Sequence, residues 1–526
     1  RDGCGGGVGG SGGRVSGWGM LREGVKYMWS GGWRLCGMEA DASEVVMAAE
    51  KRAGGDISAE VSRRAFLRSA GVCAAGFAGL SALSSVGGGR ALAALMGDGA
   101  DSPVGPLVRD PAGVLDLPRG FSYRVISRWG DEMDDGLLVP ALADGMAAFV
   151  DPSDGRRTVL VRNHENRSKP ASLGPFGAGY ERLGRVDRES LYDWGHGRTP
   201  ALGGTTNIVY DTRRGEVEGQ FLPLGGTVRN CAGGPTPWGS WLTCEEDVST
   251  PDEIHERSHG WVFEVPAVSE VGLAEPRAIE AMGRFNHEAV AVDPATSIVY
   301  LTEDRGDGLL YRFVPEVRGE MGSGGRLEAL AVKGERSRDL RNWGDGPSLG
   351  VGERLEVEWV ELTGIDAPED DLRLRGFGEA GAARFARLEG AAWADREAYF
   401  ICTTGGARRK GQVFRYRPSP AEGTEGESER PGSLELMIEP NDASVLNMPD
   451  NCCVAPWGDL VVCEDNGTDS TRLLGVTRSG RAYRMARNAV SDSEFAGVCF
   501  SPDGTTLFVN IQADGLTLAV GGPWPG

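Results

Sequence analysis

Six stretches of this chain share one layout: an acidic or amide residue, a short apolar run, a turn signal, a second apolar run, then acids or amides. They begin at Asp144, Asn230, Glu288, Glu389, Asp450 and Glu494, as in Asn230-CAGGPTPWGSWLTCEED, Glu288-AVAVDPATSIVYLTED and Asp450-NCCVAPWGDLVVCEDN. Recurrence of strand, tight turn and strand marks radially repeated sheets, and each copy sets oxygen-bearing side chains at matching strand ends. The fold class this predicts is all-β: a six-bladed β-propeller with loop and short-helix insertions.

The rest of the chain agrees. From residue 121 onward, runs such as VLVRN, TTNIVYD, WVFEVP, LLYRFVP and TLFVNIQ alternate with Gly, Pro and Asp turns, and helical periodicity surfaces only around 366–388. About 400 residues over six repeats leave about 67 per unit, more than a four-stranded blade needs. The surplus falls in 166–202, 316–355 and the acidic stretch PSPAEGTEGESERPG, all expected as surface loops. With 55 basic against 76 acidic residues the formal charge is −21. That balance excludes a general nucleic-acid or anionic-membrane binder and suits a protein that concentrates cations.

The first 37 residues are Gly-rich and open on Arg, so residues 1–46 read as a disordered leader or an over-extended start, with Met38 or Met47 as the first residue. From Ser62 the chain reads Ser-Arg-Arg-Ala-Phe-Leu-Arg, then AGVCAAGFAGLSALSSV, then a cleavable Ala91-Leu92-Ala93. This is a twin-arginine export signal over 47–94, too short and too rich in small residues for a spanning helix. It implies the twin-arginine machinery as a partner, a periplasmic or secreted location, and no stable membrane insertion after cleavage. The passenger, expected as a monomer over 95–526, crosses already folded, a route that suits a protein loaded with a cofactor beforehand.

Several generic motifs carry nothing. G-x-G-x-x-G at Gly5, Gly7 and Gly10 neither follows a strand nor opens a helix, and no P-loop exists. The few histidines lack zinc-hydrolase spacing; His164 and His287, each before a glutamate, read as structural hydrogen-bonding groups. Of the seven cysteines after the signal, most lie in apolar strand runs as small hydrophobes, whereas Cys231 opens the loop CAGGPTPWG. The odd number requires at least one to be free, liganded or buried.

The acids are the stronger signal. Glu245-Glu246-Asp247, Glu303-Asp304 and Glu464-Asp465-Asn466 end repeats, while Glu288, Glu389, Asp450 and Asn451 begin them. One Glu-Asp pair at a strand end is ordinarily a solvated turn. Several in corresponding positions converge on the axis of a propeller, where unpaired carboxylates repel and a hard cation, which needs six to eight oxygen donors, resolves the repulsion.

These segments carry a family resemblance. From about residue 120 to its end the chain resembles the PhoX alkaline phosphatases, formerly a domain of unknown function. The segments that carry it are NCAGGPTPWGSWLTCEED, FNHEAVAVDPATSIVYLTEDR, RLEGAAW, PDNCCVAPWGDLVVCEDN and EFAGVCFSPDGTTLFVNIQ. The resemblance implies an exported phosphomonoesterase with an iron-calcium cluster in the propeller funnel. It makes Cys231 a thiolate ligand of iron and Glu288, Glu389, Asp450 and Asn451 metal ligands. Glu245, Glu464 and Asp465 complete the calcium shell, and Arg387 binds phosphate, as a bidentate guanidinium suits. The pair Cys452-Cys453 departs from the family pattern after PDN. In such a site adjacent cations act as Lewis acids on a dianionic ester, and no serine nucleophile is needed. Two alternatives remain at this level: a calcium-dependent propeller lactonase or esterase, and a non-catalytic propeller holding structural calcium.

Overall fold

A computed structural model describes residues 102–344, 348–467 and 471–525; the leader and the twin-arginine segment lie outside them. The repeats become six antiparallel pairs: β1 (Ala143–Val150) with β2 (Arg157–His164), β3 (Asn230–Pro235) with β4 (Ser240–Glu245), and β5 (His287–Val292) with β6 (Val299–Glu303). Then come β7 (Leu388–Ala394) with β8 (Glu397–Cys402), β9 (Pro449–Val454) with β10 (Leu460–Glu464), and β11 (Phe495–Phe500) with β12 (Thr506–Ile511). The turns use local side-chain bonds. In the β5–β6 turn, Asp293 accepts the Ala295 N–H at 2.9 Å and the Thr296 hydroxyl at 2.7 Å, which is why Asp opens such turns.

Further strands extend each pair outward. The odd-numbered strands touch in a closed circuit: β1 beside β3, then β5, β7, β9, β11 and β1 again. The arrangement is all-β and propeller-like, with little helix. Hydrogen bonding joins the described strands into five sheets rather than six, because Arg354–Glu361 pairs with Gly325–Val332 on one side and Gly432–Ile438 on the other. The β5 and β7 repeats thereby share one nine-stranded sheet. At the closure, the early strand Ser122–Arg128 pairs with Leu516–Gly521 and completes the last repeat.

The sheets are buried on both faces, so apolar layers lie between consecutive repeats. Val159 and Val161 pack with Trp241 and Phe263, Leu242 with Val290 and Tyr311, and Tyr300 with Phe400. Ile401 packs with Val462, Val461 with Phe495 and Val509, and Leu160 with Phe508. Each fully buried side chain of this size contributes about 1.5–3 kcal/mol, so these layers carry the stability. Cys244, Cys402, Cys463 and Cys499 sit in them, and the seven described cysteines are all free thiols.

Two expected loops are more than loops. The 316–355 stretch contains the strand Gly325–Val332, because both edges of GRLEALAV find hydrogen-bonding partners in the extended sheet. The acidic stretch after Pro418 is held down by buried Arg312, which bonds Glu328 at 2.6 Å and both Glu422 and Glu427 at 2.7 Å. The local helical signal near 366–388 becomes one α-turn, Leu372–Arg375, followed by a π-turn, Gly376–Ala380.

Candidate metal centre

Each odd-numbered strand breaks its pairing register near its start, between Ala143 and Met146 in β1, at the matching place in β3, β5, β7 and β9, and one residue later, between Ala496 and Cys499, in β11. A bulge re-aims side chains. Here it brings the second residues of five strands together: Asp144, Cys231, Glu288, Glu389 and Asp450, with Ala496 in the sixth place. The residue just after each even-numbered strand joins them: Glu165, Glu246, Asp304, Thr403, Asp465 and Gln512. Its N–H is fixed at 2.9 to 3.3 Å by the carbonyl of the residue before the odd strand, in turn Leu142, Arg229, Asn286, Arg387, Met448 and Glu494. Glycine lets the strands crowd this closely: a Cβ on Gly390 would overlap the Asp450 carbonyl oxygen, and one on Gly497, at φ 62°, the Asp144 carbonyl oxygen.

Cys231 belongs to two groups whose ligand atoms all lie within 4.8 Å of one another: Asp144, Glu165 and Cys231, and Cys231, Glu246 and Glu288. Its Sγ is 3.6 Å from Asp144 Oδ2. Burial and then neighbouring carboxylates push Asp144, Glu288 and Glu494 well above the usual carboxylate range. Burial likewise raises Glu246 and Glu389 against the pull of Arg229 and Arg387, and Asp450 against that of Arg387. Burial and surrounding acids also push the Cys231 thiol up. Asp144 Oδ1 and Glu288 Oε1 are buried without a hydrogen-bond partner in the protein. Orphaned carboxylate oxygens in a crowded acidic ring fit cations, whose charge reverses this electrostatic penalty and stabilises the thiolate.

Two arginines interrupt the acids from equivalent positions, each one residue before an odd strand and each with left-handed backbone, φ 48° at Arg229 and 52° at Arg387. Arg387 grips Asp304 with Nε at 2.9 Å and Nη2 at 3.0 Å, and Nη2 also meets Glu389 Oε1. Its Nη1 has no acceptor among the described residues, and 31 % of the side chain is exposed. Arg229 bonds Glu165 Oε1 through Nε at 3.0 Å and the Glu246 carbonyl through Nη1 at 2.8 Å, while Nη2 pairs with Glu246 Oε2 at 2.5 Å. Thr403 Oγ1 lies 2.5 Å from Glu389 Oε2 and fixes that carboxylate.

Of the residues singled out in the sequence, Cys231, Glu288, Glu389, Asp450, Asp465 and Arg387 lie in this ring. Glu245 and Glu464 do not, because they are the last residues of β4 and β10 and strand alternation turns them to the other face. Glu245 takes the N–H groups of Val228 and Gly260, both at 2.9 Å, and His259 Nδ1 at 2.7 Å. Glu464 takes Asn447 N–H at 2.8 Å and Arg472 Nε at 2.7 Å. Asn451 accepts the Gly497 N–H with its side-chain oxygen at 2.6 Å and donates its amide N–H to Asp450 Oδ1 at 3.0 Å, so it orients the aspartate. His164 and His287 bond the Ala141 and Gly283 carbonyls. Asp144, Glu165, Glu246, Asp304, Glu494 and Arg229 complete the ring. Asp144 opens the first repeat in the sequence, while Glu246 and Asp304 stand one residue past the ends of β4 and β6, a position the sequence clusters Glu245-Glu246-Asp247 and Glu303-Asp304 do not single out.

The sequence model of the alkaline phosphatase PhoX family matches residues 102–515. Comparison with curated proteins found no match. A structure of Pseudomonas fluorescens PhoX in complex with vanadate, a transition state analogue, is similar over 78 % of this chain and 96 % of that one, at 18 % identity and a TM-score of 0.57, which shows the fold. A gluconolactonase from Xanthomonas campestris, at 12 % identity over 80 % of this chain and 99 % of its own, reaches a TM-score of 0.36, too low to carry an argument.

Proposed function

The chain belongs to the alkaline phosphatase PhoX family, and is thus a phosphomonoester hydrolase; on that premise we propose that its reaction takes place at an iron-calcium cluster held by the carboxylate ring of a six-bladed propeller. The observation that carries this reading is the sharing of Cys231 between two three-ligand groups. A thiolate common to both, with buried carboxylates around it, offers a borderline-soft position beside hard ones, which suits iron next to calcium. Asp144, Glu165, Cys231, Glu246 and Glu288 are the proposed iron side. Glu389, Asp450, Asp465 and Glu494, coupled to them through space, are the calcium side. Bound there, the ions supply Lewis acidity and neutralise charge on a dianionic ester.

The chain's own residues do the rest. Arg387 is preset by Asp304 to present Nη1 to a phosphate oxygen, and a preorganised cation of this kind acts on charge that grows in the transition state. Glu389 is held by Thr403 and Arg387, so metal ligand and anion clamp move as one unit. Arg229 keeps Glu165 and Glu246 in place. Export through the twin-arginine pathway, with residues 95–526 as the periplasmic or secreted catalytic domain, belongs to the same proposal. No helix among the described residues is long and apolar enough to cross a membrane.

Metal analysis of the purified protein, paired with turnover of a simple phosphomonoester, tests the reading. Iron together with calcium and a hydrolysis rate that falls on chelation are expected. Calcium alone in an active enzyme would overturn the iron assignment.

A further inference from the structure

The register breaks that shape the ring also set buried backbone aside from the ladder. In β1, β3 and β7 the residues skipped by the pairing are Asp144-Gly145, Cys231-Ala232 and Glu389-Gly390, and each pair begins with a ring residue. A buried carbonyl taken out of register needs a donor from elsewhere. For all three ring residues a side chain of the preceding repeat supplies it.

Those donors share one position, the penultimate residue of an even-numbered strand: Asn510 in β12, Asn163 in β2 and Thr302 in β6, each fully buried. Asn510 Nδ2 donates to the Asp144 carbonyl at 2.7 Å, and Thr302 Oγ1 to the Glu389 carbonyl at 2.7 Å. Asn163 Nδ2 donates to the carbonyls of Cys231 at 3.2 Å and Ala232 at 2.7 Å. Each donor is itself fixed. Asn163 Oδ1 accepts the Trp241 indole N–H at 2.8 Å and the Thr243 hydroxyl at 2.9 Å, which turns its amide hydrogens to the carbonyls. Asn510 Oδ1 accepts the Thr517 hydroxyl at 2.7 Å, and Thr302 Oγ1 accepts the Ala289 N–H at 2.8 Å. The same position in β4, β8 and β10 holds Cys244, Ile401 and Cys463, equally buried, so filling this place does not by itself require a polar side chain.

We propose that Asn163, Thr302 and Asn510 are positioning residues of the metal centre: each ties the bulged backbone of one ring residue to the repeat before it, and together they set the spacing of Cys231, Glu389 and Asp144 across three repeat boundaries. The proposal rests on the reading of the ring as a metal centre. The ties hold the backbone that carries each ligand, and a shift there moves the thiolate or carboxylate with it. Their loss therefore costs metal affinity, as loss of an outer partner of a metal ligand does.

Four variants of the full chain make the test. Thr302→Val keeps the shape and removes the donor, Thr302→Ser keeps the donor, Asn510→Leu repeats the loss at a second boundary, and Ile401→Val trims the same strand position where no tie exists. Each protein is chelated, titrated with calcium and with iron(II), and melted in denaturant without metal. Thr302→Val and Asn510→Leu should weaken metal binding roughly tenfold or more, while Thr302→Ser binds as the wild type does. Ile401→Val should lower the melt and leave metal affinity unchanged. Affinity that follows the melt across all four variants, Ile401→Val included, overturns the proposal, and so does wild-type affinity in Thr302→Val. Should Thr302→Val fail to fold, Asn510→Leu decides by the same comparison. If the unaltered protein binds metal but turns over no phosphomonoester, the phosphatase reading fails and the affinities still judge the ties; an unaltered protein that binds neither ion overturns both.

Discussion

Two adjacent glutamates make the sharpest test of the ring, because Glu245 and Glu246 differ by one residue and are assigned opposite parts. Both oxygens of Glu245 are engaged by backbone N–H groups of Val228, Gly260 and Trp261, and His259 sits at 2.7 Å. Glu245→Gln puts an amide donor among those donors and takes from buried His259 one of its two carboxylates, leaving Asp193 at 3.1 Å, a loss that costs about 3 kcal/mol. Glu246 is instead one of several mutually repelling acids, its partner being Arg229. Glu246→Gln removes a repelling charge, so the metal-free protein should keep its stability within about 1 kcal/mol. Its metal affinity should drop by more than the 10–100-fold, in rough terms, that even outer partners of metal ligands are worth. Denaturant melts of the chelated proteins give the first quantity, and metal titration followed by phosphomonoester turnover the second. The reasoning is refuted if Glu246→Gln keeps metal and activity, or if Glu245→Gln loses metal while the metal-free fold is as stable as before.

Other consequences are equally direct. Arg387→Ala should retain its metals yet lose about 2–4 kcal/mol of transition-state stabilisation, read as kcat/KM at constant metal content; normal turnover would remove Arg387 from the anion site. Cys231→Ser replaces a soft thiolate with a hydroxyl that seldom ionises, so iron content should fall more than calcium content, and equal retention of both would return Cys231 to a structural role. Burial alone would pull the His259 pKa down, but Glu245 and Asp193 outweigh it and hold it at about 10. A raised value contributes stability fully below the unfolded pKa of about 6.5 and loses it as pH rises toward 10. Melts of the wild type should therefore weaken between those limits more steeply than melts of His259→Gln, and parallel curves would count against the charged histidine.

How far the ring was legible in the sequence depends on parity. Strand, turn and strand could be read because apolar alternation and residues such as Asp293-Pro294 announce it locally. The side of the strand that an acid faces could not, since Glu245-Glu246-Asp247 and Glu464-Asp465-Asn466 offer oxygen at every step, and a bulge at the head of the partner strand shifts the count by one. Glu165 and Arg229 stayed hidden for a different reason. Each is unremarkable alone, and their pairing spans two repeats. The joining of two repeats through Arg354–Glu361 was equally out of reach, because a strand inside an insertion declares its partner only when the whole ring exists.

The closing strand fixes when this chain can first complete its acidic ring. Ser122–Arg128 waits for Leu516–Gly521, and Asp144, at the head of the first repeat, is steadied by two side chains from the last: Asn510 holds its carbonyl at 2.7 Å and Gln512 its carboxylate at 2.8 Å. A nascent chain still lacking residues 495–521 can stack earlier sheets on one another, since neighbouring units fold as they emerge. Its ring is nevertheless an open arc, with the first aspartate unsupported and two sheet edges bare. Completion of the ring is thereby postponed until Thr506–Gly521 is in place, and any cleavage within that stretch acts on the ring as surely as a change to one of its acids.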